Sequence, residues 1–176
     1  MVILRLGHRE KRDKRTTSHL ALAARAFGAD GMILADTHDE TLLRTVNEIV
    51  DRWGGNFYLK TNVPYKKAIK EWKDKGGEII HLTMYGLPID EILDNIRNSE
   101  KDKMIVVGSQ KVPAEIFEIA DYNVAIGHQP HSEISALAIF LDRLFKGEEL
   151  YRSFDNAKVR VLPSNRGKKL WKSNQF

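Results

Sequence analysis

The sequence predicts an α/β fold, a mostly parallel sheet with helices on both faces, and three observations predict it. Short apolar runs rich in β-branched residues alternate with segments of helical period. Several runs are continuously apolar, as strands covered on both sides must be. The chain has 176 residues, 42% hydrophobic and 30% charged, which suits one domain with a substantial core.

Strands are expected at Val2–Leu6, Met32–Ala35, Phe57–Lys60, Glu78–Leu82, Met104–Val107 and Asn123–Ile126. Between them, Glu40–Trp53 sets Leu42, Leu43, Val46, Ile49, Val50 and Trp53 at three- and four-residue spacing, and Gly54-Gly55 stops the helix. Lys66–Lys75 aligns Ala68, Ile69 and Trp72 between Pro64 and Gly76-Gly77. Pro88–Asn98 opens with proline and acids in its first turn and turns Ile89, Ile92, Leu93 and Ile96 inward. Ser132–Phe145 is apolar on two faces, with Ile134, Leu137, Leu141 and Leu144 on one and Ile139, Phe140 and Phe145 on the other. A second subunit or the chain's own core can cover the excess. At the end, Lys158–Val161 alternates, Pro163–Gly167 supplies turn residues, and Lys168–Trp171 returns, so 156–176 reads as a basic β-hairpin extending a domain over 1–155.

Composition removes several function classes. Without cysteine there is no disulfide framework, thiolate zinc site, iron–sulfur cluster or cysteine nucleophile. The basic cluster of MVILRLGHREKRDKR follows its apolar run, the wrong order for a secretory signal, and no stretch approaches a membrane span, so a cytoplasmic protein is expected. Charge is segregated. Residues 1–15 carry six Lys/Arg against Glu10 and Asp13, residues 156–176 carry six and no acid, and the middle is net negative, within a total of +4. Basic ends suit a polyanion such as RNA, although solvated lysine-rich tails have the same composition.

Familiar motifs are absent. No G-x-G-x-x-G follows a strand, and there is no phosphate loop or G-x-S-x-G elbow. His128, His131 and Glu133 have a spacing that a metal can use, but six histidines yield such pairs by chance and no metal is expected. Asp36 and Asp39 suit loop solvation and helix capping better than magnesium.

Ligands of open parallel sheets collect where loops leave the carboxyl edges of strands. Three such loops stand out: Leu82, Thr83, Met84, Tyr85 and Gly86; Gly108, Ser109, Gln110, Lys111, Val112 and Pro113; and Ile126, Gly127, His128, Gln129, Pro130, His131, Ser132 and Glu133. Each carries a glycine and leads into a helix, so together they can wrap one small molecule. Gly, Pro and Ser are also what any strand-to-helix turn takes, and the loops alone leave both readings open.

The segments LRLGHREKRDKRTTSHLALAARAFGADG, VVGSQKVPAEIFEIADYNVAIG and HQPHSEISALAIFLDRL, in that order, resemble the archaeal tRNA (cytidine-56-2′-O)-methyltransferases of the SPOUT superfamily. The resemblance covers most of the chain. It implies a Rossmann-like sheet closed by a C-terminal deep trefoil knot, a homodimer, S-adenosyl-L-methionine bound in the knot, and methylation of the cytidine 56 ribose 2′-hydroxyl in the tRNA T-loop. It places the cofactor at Leu82, Gly108 through Val112, and Ile126 through Glu133. The related enzymes carry a catalytic arginine six residues before the glycine closing the first helix; counted back from Gly28, that position here is Leu22. The basic run before the helix, Arg9, Arg12 and Arg15, is the expected substitute, with Arg15 nearest the helix start. Contact with the reacting ribose, phosphate binding and a plain solvated charge all remain open for it. Ser132 and Glu133 are expected to orient the ribose or the cofactor amine, and His19 and His131 are lesser candidates for the proton. Lys158, Arg160, Arg166, Lys168 and Lys169 form a candidate RNA clamp, with Trp171 either stacking on a base or anchoring the hairpin. A base- or ribosomal-RNA-directed enzyme of the same superfamily, or a non-catalytic RNA-binding module, are the alternatives.

Overall fold

The computed structural model describes residues 1–109 and 112–173. The order is β1 (Val2–Leu6), α1 (Glu10–Ala26), β2 (Gly31–Ala35), α2 (Glu40–Trp53), β3 (Tyr58–Val63), α3 (Tyr65–Asp74), β4 (Glu78–Pro88), α4 (Ile89–Asn98), β5 (Lys103–Gly108), α5 (Glu115–Ile119), β6 (Tyr122–Ala125), α6 (Glu133–Phe145), a 3₁₀ turn (Glu148–Tyr151), β7 (Val159–Leu162) and β8 (Lys169–Lys172). Strands β1 to β6 form one sheet in the order β3-β2-β1-β5-β4-β6, every pair parallel. β7 and β8 pair antiparallel in a separate sheet.

Two hydrophobic layers sandwich the sheet. Ile3, Met32, Leu34, Ile80, Ile105 and Val124 turn toward α1, α2, α4 and α6, meeting Leu20, Leu42, Ile92, Leu137 and Phe140. Val2, Leu4, Leu6, Ile79, Met104 and Val106 turn the other way, toward Ala68 and Ile69 of α3 and Ile116 of α5. This double cover explains the continuously apolar strands, since every residue of β1 is buried. Leu137, Phe140 and Leu141 of α6 are fully buried within the chain's own core, whereas Ile139 stays 44% exposed.

Two expectations need correction. Thr83, Met84, Tyr85 and Gly86 are not a loop, because β4 continues through them to Pro88. Its register against β6 jumps between Leu82 and Leu87, both opposite Val124, so the intervening residues form a bulge in β4. A pairing that lies 42 residues away holds the segment extended, and local propensity carries no trace of it. The first helix begins at Glu10, which puts Arg12 and Arg15 on α1 rather than before it. Asp13 makes this early start possible, accepting from the Arg9 backbone N–H at 3.1 Å and so satisfying a donor at the helix entrance. The short helix α5 falls outside the expected elements; five residues are too few for a helical period to register.

Candidate active site

A cavity of about 670 Å³ opens along the middle of β4 and at the carboxyl ends of β5 and β6. Its walls include Leu82, Thr83, Met84 and Tyr85 from β4, Gly108, Ser109 and Val112 after β5, and Ile126, Gly127, Gln129, Pro130, His131 and Glu133 between β6 and α6. The three predicted segments therefore meet at one place. Gly86, His128 and Ser132 are not in the lining, and Gln110 and Lys111 lie outside the described residues.

Local chemistry explains these positions. Gly86 carries β4 against β6 so closely that a Cβ would fall on the Asn123 carbonyl. Gly127 has φ +70°, a left-handed turn that glycine takes without strain and that starts the loop. His131 closes the loop with Nε2 at 2.7 Å from the Ile126 carbonyl oxygen. Ser132 caps α6, its hydroxyl accepting from the Ile134 N–H at 3.1 Å, so its side chain is committed to the helix end.

The structure adds wall residues that the sequence reading missed. His81, inside β4, is 1% exposed, and its ring meets Phe117 edge-on at 4.7 Å. Asn123 Nδ2 donates to the Phe117 carbonyl at 2.9 Å, which turns Oδ1 toward His81 Nδ1, also at 2.9 Å. Nδ1 must therefore carry the proton, and Nε2 is a buried acceptor without a partner among the described residues. Burial pushes the imidazole below its ordinary range, and the Asn123 bond only partly opposes this. Arg5 of β1 is fully buried, and its Nη2 donates at 2.7 Å to Oε1 of Glu133, which lines the cavity. A charged or buried histidine side chain in the middle of an apolar strand, as in VILRL and EIIHL, is the signal that would have found both.

None of Arg9, Arg12 and Arg15 lines the cavity. Arg9 forms a two-pronged pair with Asp13, Nε to Oδ2 at 2.8 Å and Nη2 to Oδ1 at 2.9 Å, holding that carboxyl down to about 2. Arg12, Arg15 and His19 are exposed and, at three- and four-residue spacing, form one stripe along α1. Behind α1 a buried chain joins Thr17 Oγ1 to His8 Nδ1 at 2.8 Å and His8 Nε2 to Asp39 Oδ2 at 3.2 Å, while Asp39 Oδ1 caps α2 from Leu42 N–H. It locks the turn leading into the stripe against the next strand-to-helix connection.

In the C-terminal pair, Arg160, Arg166, Lys168 and Lys169 are exposed. Lys158 is paired with Asp51 at 2.6 Å. Arg160 lies 5.3 Å from the ring of Trp171, its cross-strand neighbour, and Trp171 remains 44% exposed. Backbone bonds from Lys158 N–H to Arg52 O and from Gly55 N–H to Asp155 O tie the segment to the end of α2.

Residues 53–171 match the family model described as tRNA ribose 2′-O-methyltransferase. This chain belongs to that family. A tRNA (cytidine(56)-2′-O)-methyltransferase of Methanopyrus kandleri is 54% identical over 96% of this chain and 94% of its own length. One from Staphylothermus marinus is 56% identical, covering 97% and 91%. Among solved structures, the A. aeolicus TrmH/SpoU tRNA modifying enzyme superposes with a TM-score of 0.58 at 16% identity, over 85% of this chain and 75% of that one. The SpoU methyltransferase AviRb of Streptomyces viridochromogenes, in complex with AdoMet, gives 0.55 at 13% identity; this chain covers 56% of it, and 82% of this chain is covered. At these identities the structures establish a shared fold, and the curated relatives carry the family assignment.

Proposed function

We propose that this protein transfers the methyl group of S-adenosyl-L-methionine to the ribose 2′-hydroxyl of cytidine 56 in the T-loop of tRNA. The observation that carries the reading is the meeting of the three segments from β4, β5 and β6 in one cavity within a chain of the tRNA ribose 2′-O-methyltransferase family. The cavity falls in the size range of pockets that enclose a nucleoside-sized ligand, and its walls suit this donor. His81 Nε2 offers a buried acceptor to an amine or hydroxyl hydrogen, and Glu133 offers a carboxylate to a cationic group. Leu82, Gly108, Ser109, Val112, Ile126 and Gly127 would hold the rest. Bound there, the donor supplies an electrophilic methyl on a sulfonium centre.

The remaining work falls to the chain's own side chains. A ribose hydroxyl is a poor nucleophile, so the protein must fix its approach and offset charge as its proton leaves. The exposed stripe of Arg12 and Arg15 is suited to both tasks, because a guanidinium binds a phosphate and stabilises a developing oxyanion. Arg5 keeps one Glu133 oxygen tied, leaving the other to face the cavity.

We further propose that the protein acts as a homodimer and that its C-terminal portion is threaded as a deep trefoil knot. The dimer reading is supported by exposed Ile139 on α6, beside α1, since assembly through that side would bring the arginine stripe to a partner's cavity. The knot reading is supported by the bulge of β4 against β6 and the close Gly86–Asn123 packing. Residues 156–173 then serve as an RNA-binding extension of the same domain, at work in the cytoplasm where tRNA is found. No observation favours base or ribosomal RNA methylation. Labelled methyl transfer into unmodified tRNA, mapped by resistance to alkaline cleavage, tests the reading; the expected result is one protected bond at nucleotide 56. Label elsewhere, or none, would overturn it.

A further inference from the structure

A second cavity of about 170 Å³ adjoins the first, framed by Leu6, Gly7, Asp36, Tyr65, Ser109 and Pro113. Gly108, Ser109 and Val112 line both, so the two share a wall. That wall is braced: Ser109 N–H donates to Leu6 O at 3.2 Å, and its hydroxyl donates to the Gly7 carbonyl. On its far side, Gly7 begins the turn into α1, the helix bearing Arg12 and Arg15. The small cavity therefore lies beside the methyl-donor cavity, at the turn that leads into α1. Its size is below the ~300 Å³ typical of a whole-ligand pocket, fitting a single ring.

Two side chains give it chemistry. Tyr65, half-buried at the start of α3, contributes an aromatic wall, and its hydroxyl donates to Glu115. Asp36, at the end of β2, is exposed and holds a left-handed backbone, φ +56°. Asp36 Oδ1 accepts from the Tyr65 N–H at 3.3 Å, and Asp36 N–H donates to Val63 O at 3.0 Å, so the residue is anchored at both ends. One weak bond leaves most of a carboxylate's acceptor capacity unused. A carboxylate in this place repels phosphate, which makes it unsuited to the RNA backbone and suited to a base that presents hydrogen-bond donors. Among pyrimidines, cytosine offers an amine at position 4 and uracil an oxygen that Asp36 would repel.

We propose that this cavity receives the base of the target nucleotide, with Asp36 accepting from the cytosine exocyclic amine and the Tyr65 ring bearing on the base. The inference rests on the methyltransfer reading above and adds the element that selects the base. With the base there, the ribose lies at the shared Gly108–Ser109 wall, facing the donor cavity.

The test compares kcat/KM for tRNA transcripts carrying cytidine or uridine at the target position, in the parent enzyme, Asp36→Asn and Tyr65→Leu, with donor affinity measured by calorimetry. Asparagine tolerates a left-handed backbone and has an amide that can face either base, so Asp36→Asn is the informative change. The parent should prefer cytidine by about ten- to a hundredfold, the range a good base contact supplies. Asp36→Asn should cut that preference about tenfold without moving donor affinity, and Tyr65→Leu should raise KM for both transcripts. An unchanged preference in Asp36→Asn would overturn the inference, as would a loss of donor affinity matching the loss of transfer. Failure of the parent to methylate either transcript would overturn the function reading itself, and the parent measurement separates the two.

Discussion

Arg5 and Glu133, 128 residues apart in sequence, meet through a 2.7 Å charged hydrogen bond beside the cavity that Glu133 lines, with Arg5 fully buried and Glu133 24% exposed. Nε and Nη1 of the same guanidinium have no partner among the described residues. A buried cation that loses its counter-charge is costly, and removing one member of such a pair typically costs about 3–5 kcal/mol. Glu133→Ala should approach that loss in denaturant unfolding, whereas Glu133→Gln should retain stability better and weaken donor binding. Equal stability of Glu133→Ala and the parent would show that the pair holds nothing.

Arg15 carries a sharper kinetic expectation. Arg15→Ala should lower turnover about a hundredfold or more, the scale of losing a group that stabilises transition-state charge, while donor affinity stays within about twofold. Arg12→Ala should act mainly on KM for tRNA. An unchanged turnover in Arg15→Ala would remove the residue from the site.

His81 makes stability depend on pH in a defined direction. Burial lowers its folded pKa below the ordinary 6.5, so the unfolded chain takes up the proton first as pH falls. Its contribution is complete above about pH 6.5 and is lost below it, at up to ~1.4 kcal/mol per pH unit until the folded ring titrates. Urea unfolding from pH 8 to 5 should show this component in the parent and not in His81→Gln. Parallel curves would refute it.

The C-terminal strands should reveal themselves through salt. Truncation after Asp155 removes exposed Arg160, Arg166, Lys168 and Lys169, and each phosphate they cease to neutralise should reduce the slope of log affinity against log salt by roughly one. Because the segment also ties down the end of α2, circular dichroism should accompany the binding measurement. Identical slopes would show that the strands pack without touching RNA.

Much of the fold is legible in the sequence. Val2–Leu6 and Glu40–Trp53 are observed at their expected bounds, because a continuous apolar run between turns and a capped amphipathic stripe are strong local signals. The three segments converging on the cavity are legible through glycines at strand ends. Hidden from view are the partners of Arg5 and His81, since their apolar strands mark the two residues as out of place without showing what they meet, and the extension of β4 past Leu82, which depends on pairing with Val124.

The amino-acid order by itself determined the alternation of strand and helix, the apolar faces of α2, α3, α4 and α6, the basic ends and the family. Only the tertiary structure decided that Arg5 meets Glu133, that Gly108 and Ser109 divide two cavities, and that Asp36 stands beside Tyr65. The reason is range. Periodicity and capping act over one or two turns of chain, whereas these encounters follow from the strand order β3-β2-β1-β5-β4-β6, which sets side by side residues that no local pattern connects.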